Sequence, residues 1–219
     1  MTLRCKHRHT IDEHPACFAN NDLAERRYVK DTGKPWYTYP GYKIGYLDIE
    51  TSGLIGEKDY ILTWCIKEKG GEIFSDKITK RDISTYRLDK RIVKTLIDKL
   101  CEFRIIVTYY GTKFDIPFLR TRALKFGITF PTYGHIYTWD LYYTVRSKLS
   151  LTRNTLERAC ALLGIEGKTH VDLNVWQLAA LGDEKSLKEV LTHNEYDVII
   201  LEELHDRLSF TRKWIKSSI

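Results

Sequence analysis

Hydrophobic and polar positions change period along this chain, and each change marks an element. From Ile44 the sequence reads IGYLDIE, then YILTWCIK, then GEIFSD. These short segments are rich in β-branched and aromatic residues and are parted by turns containing Gly, which predicts three adjacent strands. Residues 86–101 place Leu88, Ile92, Val93, Leu96, Ile97 and Leu100 at helical spacing, and RIIVTYY after them is an apolar run too short for a helix. Strand, helix, strand is the predicted succession there. A helix over 117–126 and a polar-aromatic segment ending in TWDLYY follow, with further helices near 153–163, 173–181 and 184–209. Strands first, then helices interleaved with a later strand, predict an α/β fold with a mixed sheet covered by helices.

Residues 1–41 differ in texture from everything after them, so they are read as an N-terminal arm and residues 42–219 as the main domain. Within the arm, Cys5, His7, His9, His14 and Cys17 form C-x-H-x-H-x4-H-x2-C. Four ligands for a structural Zn²⁺ can be drawn from this set: Cys5, His14 and Cys17, with His7 or His9 as the fourth. The alternative is a basic arm that contacts phosphates through Arg4, Lys6 and Arg8; in either case the arm is a candidate protein-partner contact.

The 219 residues carry 35 Lys plus Arg against 29 Asp plus Glu, a formal charge of +6 that favours a polyanionic partner without naming one. A run of about 18 uncharged apolar residues, the minimum for a membrane span, is absent, and the charged N-terminus MTLRCKHRHT is unlike a signal peptide. The expectation is a protein that does not enter membranes, with a cytoplasmic location. Cys65, Cys101 and Cys160 lie in apolar stretches and read as reduced core thiols.

Candidate chemistry sits on the acids. Asp48 and Glu50 are two apart in a strand, so they leave one face together while Leu47 and Ile49 leave the other. Asp115 follows the strand at 104–110 and stands two residues before Pro117, a position that also suits a helix cap. In the last helix Leu187, Val190, Leu191, Val198, Leu201, Leu204 and Leu208 mark a buried stripe on which Asn194 and Asp197 also fall, with His193 one turn before Asp197. A carboxylate on a core-facing stripe needs a cation, a proton or a donor. Converging carboxylates would repel unless divalent cations neutralised them, and hard oxygen ligands suit Mg²⁺ or Mn²⁺. With those four acids set aside, the remaining side chains are four units more positive than +6, which favours a nucleic-acid backbone. Lys113, Arg120 and Arg122 around Asp115, and Arg212, Lys213 and Lys216 near the end, are candidates to track it.

The segments LDIETSGL, YYGTKFDIPFL and HNEYDV, in that order, resemble the three exonuclease motifs of the DEDD superfamily. These are the DnaQ-like 3′–5′ exonucleases of the ribonuclease H-like fold, and the wording is nearest the YprB-like ribonuclease H branch and the proofreading domains of family B polymerases. The resemblance implies a five-stranded sheet of order 3-2-1-4-5 and a two-metal site. In it Asp48 would bridge two Mg²⁺ or Mn²⁺ ions, Glu50 and Asp197 would complete one metal site, and Asp115 would help hold the other. Thr51, Leu54 and Phe114 match positions that line the pocket for the terminal nucleotide, and Asp140 resembles a further acid between the second and third motifs. The residue activating the attacking water is a Tyr four positions before the last Asp in one subclass and a His five before it in another. Here His193 stands four before Asp197 and Thr192 five before, so the spacing of one subclass carries the residue of the other. His193 takes the catalytic role in this reading, since an imidazole accepts a proton near neutral pH. The implied activity is removal of nucleoside 5′-monophosphates from 3′ ends, with DNA favoured over RNA. A structure-selective endonuclease on the same fold and a non-catalytic nucleic-acid-binding accessory module are the competing expectations.

Overall fold

The computed structural model describes residues 22–34, 38–132, 134–167 and 169–208. The Cys/His cluster of the arm and the basic residues 212–216 lie outside the described residues. Helix α1 (Asp22–Thr32) precedes a β-meander of β1 (Ile44–Thr51), β2 (Ile61–Glu68) and β3 (Ile73–Lys77). Then come α2 (Lys80–Ser84), α3 (Lys90–Leu100), β4 (Ile105–Thr108), α4 (Asp115–Lys125), β5 (Tyr137–Asp140), α5 (Leu141–Lys148), α6 (Leu156–Leu163), α7 (Leu173–Ala180) and α8 (Glu184–Arg207).

The five strands form one sheet of order β3-β2-β1-β4-β5, as the motif resemblance implies. The meander strands pair antiparallel, whereas β4 runs parallel to β1 and β5 parallel to β4. Hence β1, β4 and β5 all point the same way and their C-terminal ends share one rim of the sheet. The register of β1 on β2 slips after Glu50, which pairs with Thr63, so that Thr51 pairs with Ile61. A bulge at that place re-aims the end of β1.

Alternation along the strands builds two cores. Leu47 and Ile49 of β1, Trp64 and Ile66 of β2 and Ile106 of β4 face α3, α4 and α7. Tyr46, Cys65, Ile105 and Val107 face the other way, against α5, α6 and the second half of α8. Asp48 and Glu50 have the parity of Tyr46, so they leave β1 beneath α8. No described helix is long and apolar enough to cross a membrane.

Some elements depart from the pattern reading. The helix expected from residue 86 begins at Lys90, because Tyr86 and Leu88 take positive φ and Leu88 belongs to the turn. Helix α2, closed by a capping box between Thr79 and Asp82, and helix α5 were not foreseen. Cys65 and Cys160 are buried thiols, but Cys101 caps the end of α3 and is exposed.

Candidate active site

The end of β1 meets the middle of α8 on one face of the sheet, and the start of α4 joins it at the rim through Asp115. His193 Nε2 lies 3.5 Å from Glu50 Oε1 and 3.8 Å from Asp197 Oδ2. One ligand atom from each of Glu50, His193 and Asp197 falls within 4.8 Å of the other two. His193 is not held by the acids alone: its Nδ1 is 2.6 Å from Thr169 Oγ1, and Trp176 stands edge-on to the ring at 6.3 Å between centroids. With Nδ1 engaged by the hydroxyl, Nε2 is the nitrogen turned to the acids, and the donor direction at Nδ1 selects the tautomer.

Asp48 is oriented from the same helix. Asn194 Nδ2 donates to Asp48 Oδ2 at 2.5 Å, and Thr63 of β2 donates to Asn194 Oδ1 at 3.2 Å. Thr63 and Asn194 are both fully buried. The amide orientation follows from this chain, since Nδ2 must face the carboxylate and Oδ1 the hydroxyl. Asn194, flagged on the buried stripe, thus links the first acid to the neighbouring strand.

Phe114 is the N-cap of α4 and gives no side-chain cap bond, and Asp115 is the first residue of the helix. The Asp115 carboxylate accepts the Ile49 amide at 3.1 Å, between the two acids of β1. Burial pushes its pKa up to about 7, with the nearby charge of Asp140 acting in the same direction against the hydrogen bonds that favour the anion. Asp140 is a helix N-cap and more. It accepts the Tyr142 amide, and across the rim it also accepts the Tyr110 amide at 2.7 Å and the Thr112 amide and hydroxyl at 3.0 and 2.6 Å. It fixes the loop that carries Asp115. Gly111 is required in that loop because a Cβ there would come within 2.5 Å of Thr108.

The local field is negative. The buried Cys65 thiol, opposite Asp48 on β2, is pushed up first by burial and then by Glu195, Asp48, Glu50 and Asp197. Carboxylates and an imidazole in this arrangement suit a divalent cation, with hard oxygen donors from Glu50 and Asp197 and a ring nitrogen from His193.

A cleft of about 800 Å³ opens beside the acids. Glu50, Thr51, Leu54 and Phe114 line one side and Trp176 and Leu181 of the α7 region the other. Phe114 also packs on the core, and Leu54 is 81% exposed, so a large apolar side chain is offered to the cleft rather than hidden. The two walls are tied together where the Tyr60 hydroxyl donates to the Ala180 carbonyl.

Lys113 and Arg120 are exposed, but Arg122 is not available to a ligand. It is fully buried, and its guanidinium makes paired bonds of 2.6–3.1 Å to Asp89. That corrects its sequence-based assignment as a backbone-tracking residue. The sequence reading also missed Thr63, Thr169 and Trp176, whose relation to the acids is set wholly by tertiary packing.

The chain resembles known proteins over the same region. A DNA polymerase of Methanocaldococcus jannaschii is 32% identical over 123 aligned positions, covering 45% of this chain and 7% of that one. A DNA polymerase of Pyrococcus glycovorans is 28% identical over 233 aligned positions, covering 90% of this chain and 29% of the relative. The chain therefore spans less than a third of the length of these relatives. In fold it is similar to the family B DNA polymerase of the archaeon Pyrobaculum calidifontis, with a TM-score of 0.63 at 20% identity over 77% of this chain and 25% of that one. The family described as the RNase H superfamily matches residues 45–209, and the chain belongs to that superfamily.

Proposed function

We propose that this protein is a metal-dependent nuclease that removes nucleotides from the 3′ end of a single strand, DNA in preference to RNA. The observation that carries the reading is the meeting of Glu50, His193 and Asp197 within 4.8 Å at the mouth of a cleft that Glu50 itself lines. Membership of the RNase H superfamily and the likeness to DNA polymerases support it, as does the +6 charge.

In this reading Asp48, Glu50, Asp115 and Asp197 would hold two Mg²⁺ or Mn²⁺ ions. Bound divalent cations would lower the pKa of water and offset the charge that builds on the phosphate in the transition state. His193 accepts the proton of the attacking water at Nε2, while Thr169 keeps the ring in register from Nδ1. The water oxygen bonds to phosphorus, the bond from phosphorus to the 3′-oxygen breaks, and that oxygen leaves as a hydroxyl after taking a proton from solvent. Thr51, Leu54 and Phe114 seat the terminal nucleotide, the apolar side chains against its base, and Lys113 meets the backbone. The Cys/His cluster at residues 5–17 is proposed as a separate Zn²⁺-binding or partner-binding module.

The test is a gel time course on 5′-labelled single-stranded DNA and RNA with Mg²⁺ or Mn²⁺, comparing the native chain with Asp48→Ala. A descending ladder that needs the cation and fades by about a thousandfold or more in the variant is the expected result. Internal cuts would favour an endonuclease, and intact but bound substrate in every lane would refute catalysis.

A further inference from the structure

Three tyrosines stand on the rim beyond the acids and the cleft, one of them, Tyr142, also edge-on to the core-packed Tyr109 at 6.0 Å between centroids. The parallel strands β1, β4 and β5 end on one edge of the sheet. At the end of β1 lies the cleft; directly after the ends of β4 and β5 stand Tyr110 and the pair Tyr142 and Tyr143. Their rings form a continuous row. Tyr110 meets Tyr142 at 4.8 Å between centroids and 72° between planes, and Tyr142 meets Tyr143 at 5.2 Å and 85°.

Tyr110 is held in this row at a cost. Its φ is +66°, a left-handed conformation that disfavours a bulky side chain, yet it is 45% exposed. The backbone is fixed there from both sides, its amide donating to Asp140 and its carbonyl accepting the amides of Lys113 and Phe114. The preceding Tyr109 has an ordinary structural use, with its ring against the core and its hydroxyl on the Asn154 carbonyl. Packing therefore explains the first tyrosine of the pair and leaves the strained second one without a role.

Charge identifies what the row faces. Residues 141–156 contain three basic side chains, Arg146, Lys148 and Arg153, all exposed, and no acidic one; Lys113 adds a fourth exposed base in the Tyr110 turn. Aromatic rings on the rim, in a segment whose charged side chains are all basic, suit a polyanion that carries flat rings of its own, a single-stranded nucleic acid. We propose that Tyr110, Tyr142 and Tyr143 form a stacking platform for the bases of the strand that leads into the cleft. This deepens the nuclease reading and rests on it for the direction of the strand. Stacking on π faces is indifferent to base and sugar, so the platform contributes reach and affinity rather than sequence choice.

The experiment is fluorescence anisotropy with labelled oligothymidylates in the presence of a chelator, so that binding is read without cleavage. The probes are a dinucleotide that fills only the cleft and a longer strand that extends along the rim. The native chain gains affinity with length. Tyr110→Gly and Tyr142→Ala each lower affinity for the long strand by roughly tenfold and flatten that gain. Tyr110→Gly also relieves the left-handed strain, so its thermal midpoint does not fall and lost binding is not lost folding. Tyr86→Ala, which removes another exposed tyrosine of positive φ but from the turn before α3, leaves the length dependence intact.

Variants that keep the native gain with length would overturn the platform. Cleavage by the native chain with Mg²⁺, scored on the same strands, separates the two ideas. If it cuts while the variants bind as it does, the platform fails and the nuclease stands; if length dependence collapses in the variants and no strand is cut, the nuclease reading fails alone.

Discussion

Two sets of acids are taken out of water in this fold, and they are held by different kinds of neighbour. Asp89 is completely buried beside an equally buried Arg122; it also accepts the Ile61 amide at 2.9 Å, while the same guanidinium reaches the Gly56 carbonyl at 3.2 Å. Each charge in that group has its opposite within the fold, and the group joins α4, the start of α3 and the loop leading into β2. Across the sheet, Asp48 accepts from the Asn194 carboxamide, Glu50 and Asp197 lie beside the His193 imidazole, and Asp115 accepts the Ile49 amide. The first arrangement is complete as it stands. The second brings carboxylates close to one another, an arrangement that a bound divalent cation would stabilise. The contrast separates an acid paired for architecture from acids that, in the proposed reading, are kept for a ligand.

The largest effect that could break this distinction is on the architectural side. Arg122→Ala leaves Asp89 charged and buried, and should cost about 3–5 kcal/mol in denaturant unfolding. A loss within 1 kcal/mol would mean that Asp89 is neutralised by other means.

On the opposite side the sign should reverse. Asp115 has its folded pKa raised from 3.8 to about 7, so the folded state holds its proton where the unfolded state has lost it. Its contribution to stability is therefore full below pH 3.8 and falls away as pH rises to about 7. Asp115→Asn should make the cation-free protein more stable at neutral pH, by on the order of 2 kcal/mol, and flatten that pH dependence. Equal stability of the two proteins at pH 5 and pH 8 would remove the claim. Added Mg²⁺ should stabilise the native chain more than Asp115→Asn, which thermal shifts with and without the cation would read.

A smaller effect sharpens the role of the carboxamide. Asn194→Ala should keep the fold but release Asp48, and cut turnover by about ten- to a hundredfold with a higher cation requirement. An unchanged cation titration would reduce Asn194 to a packing residue. At the bottom of the scale, the exposed i,i+4 pair of Lys94 and Asp98, 2.8 Å apart, should matter little, and Lys94→Ala should shift stability by no more than about 0.5 kcal/mol.

Legibility in the sequence followed the range of the interactions. The β1 acids were visible because alternation puts Asp48 and Glu50 on one face within three residues, and α8 because its stripe runs through six turns with Asn194 and Asp197 on it. Helix α5 was not, since LYYTVRSK buries only Leu141, Thr144 and Val145, and β5 is four residues long with three of them half-buried. Neither leaves a periodic trace. Arg122 was misjudged because a lone Arg on a helix reads as solvated unless its partner, 33 residues earlier, is known. Thr63 and Thr169 gave no local sign, because a hydroxyl is recruited by whichever buried group folds against it. Asp115 was equally suited to a cap, and the contact with Ile49 was a matter of tertiary structure.

The wiring of the site also sets when it can exist. The meander that bears Asp48 and Glu50 closes through short turns, but the bond from Ile49 to Asp115 spans 66 residues and that from Asp48 to Asn194 spans 146. Loops of that length close late, after the hairpins have formed. During synthesis the acids of β1 therefore emerge early and wait through most of the domain for α8, so the site is assembled only when the last helix docks.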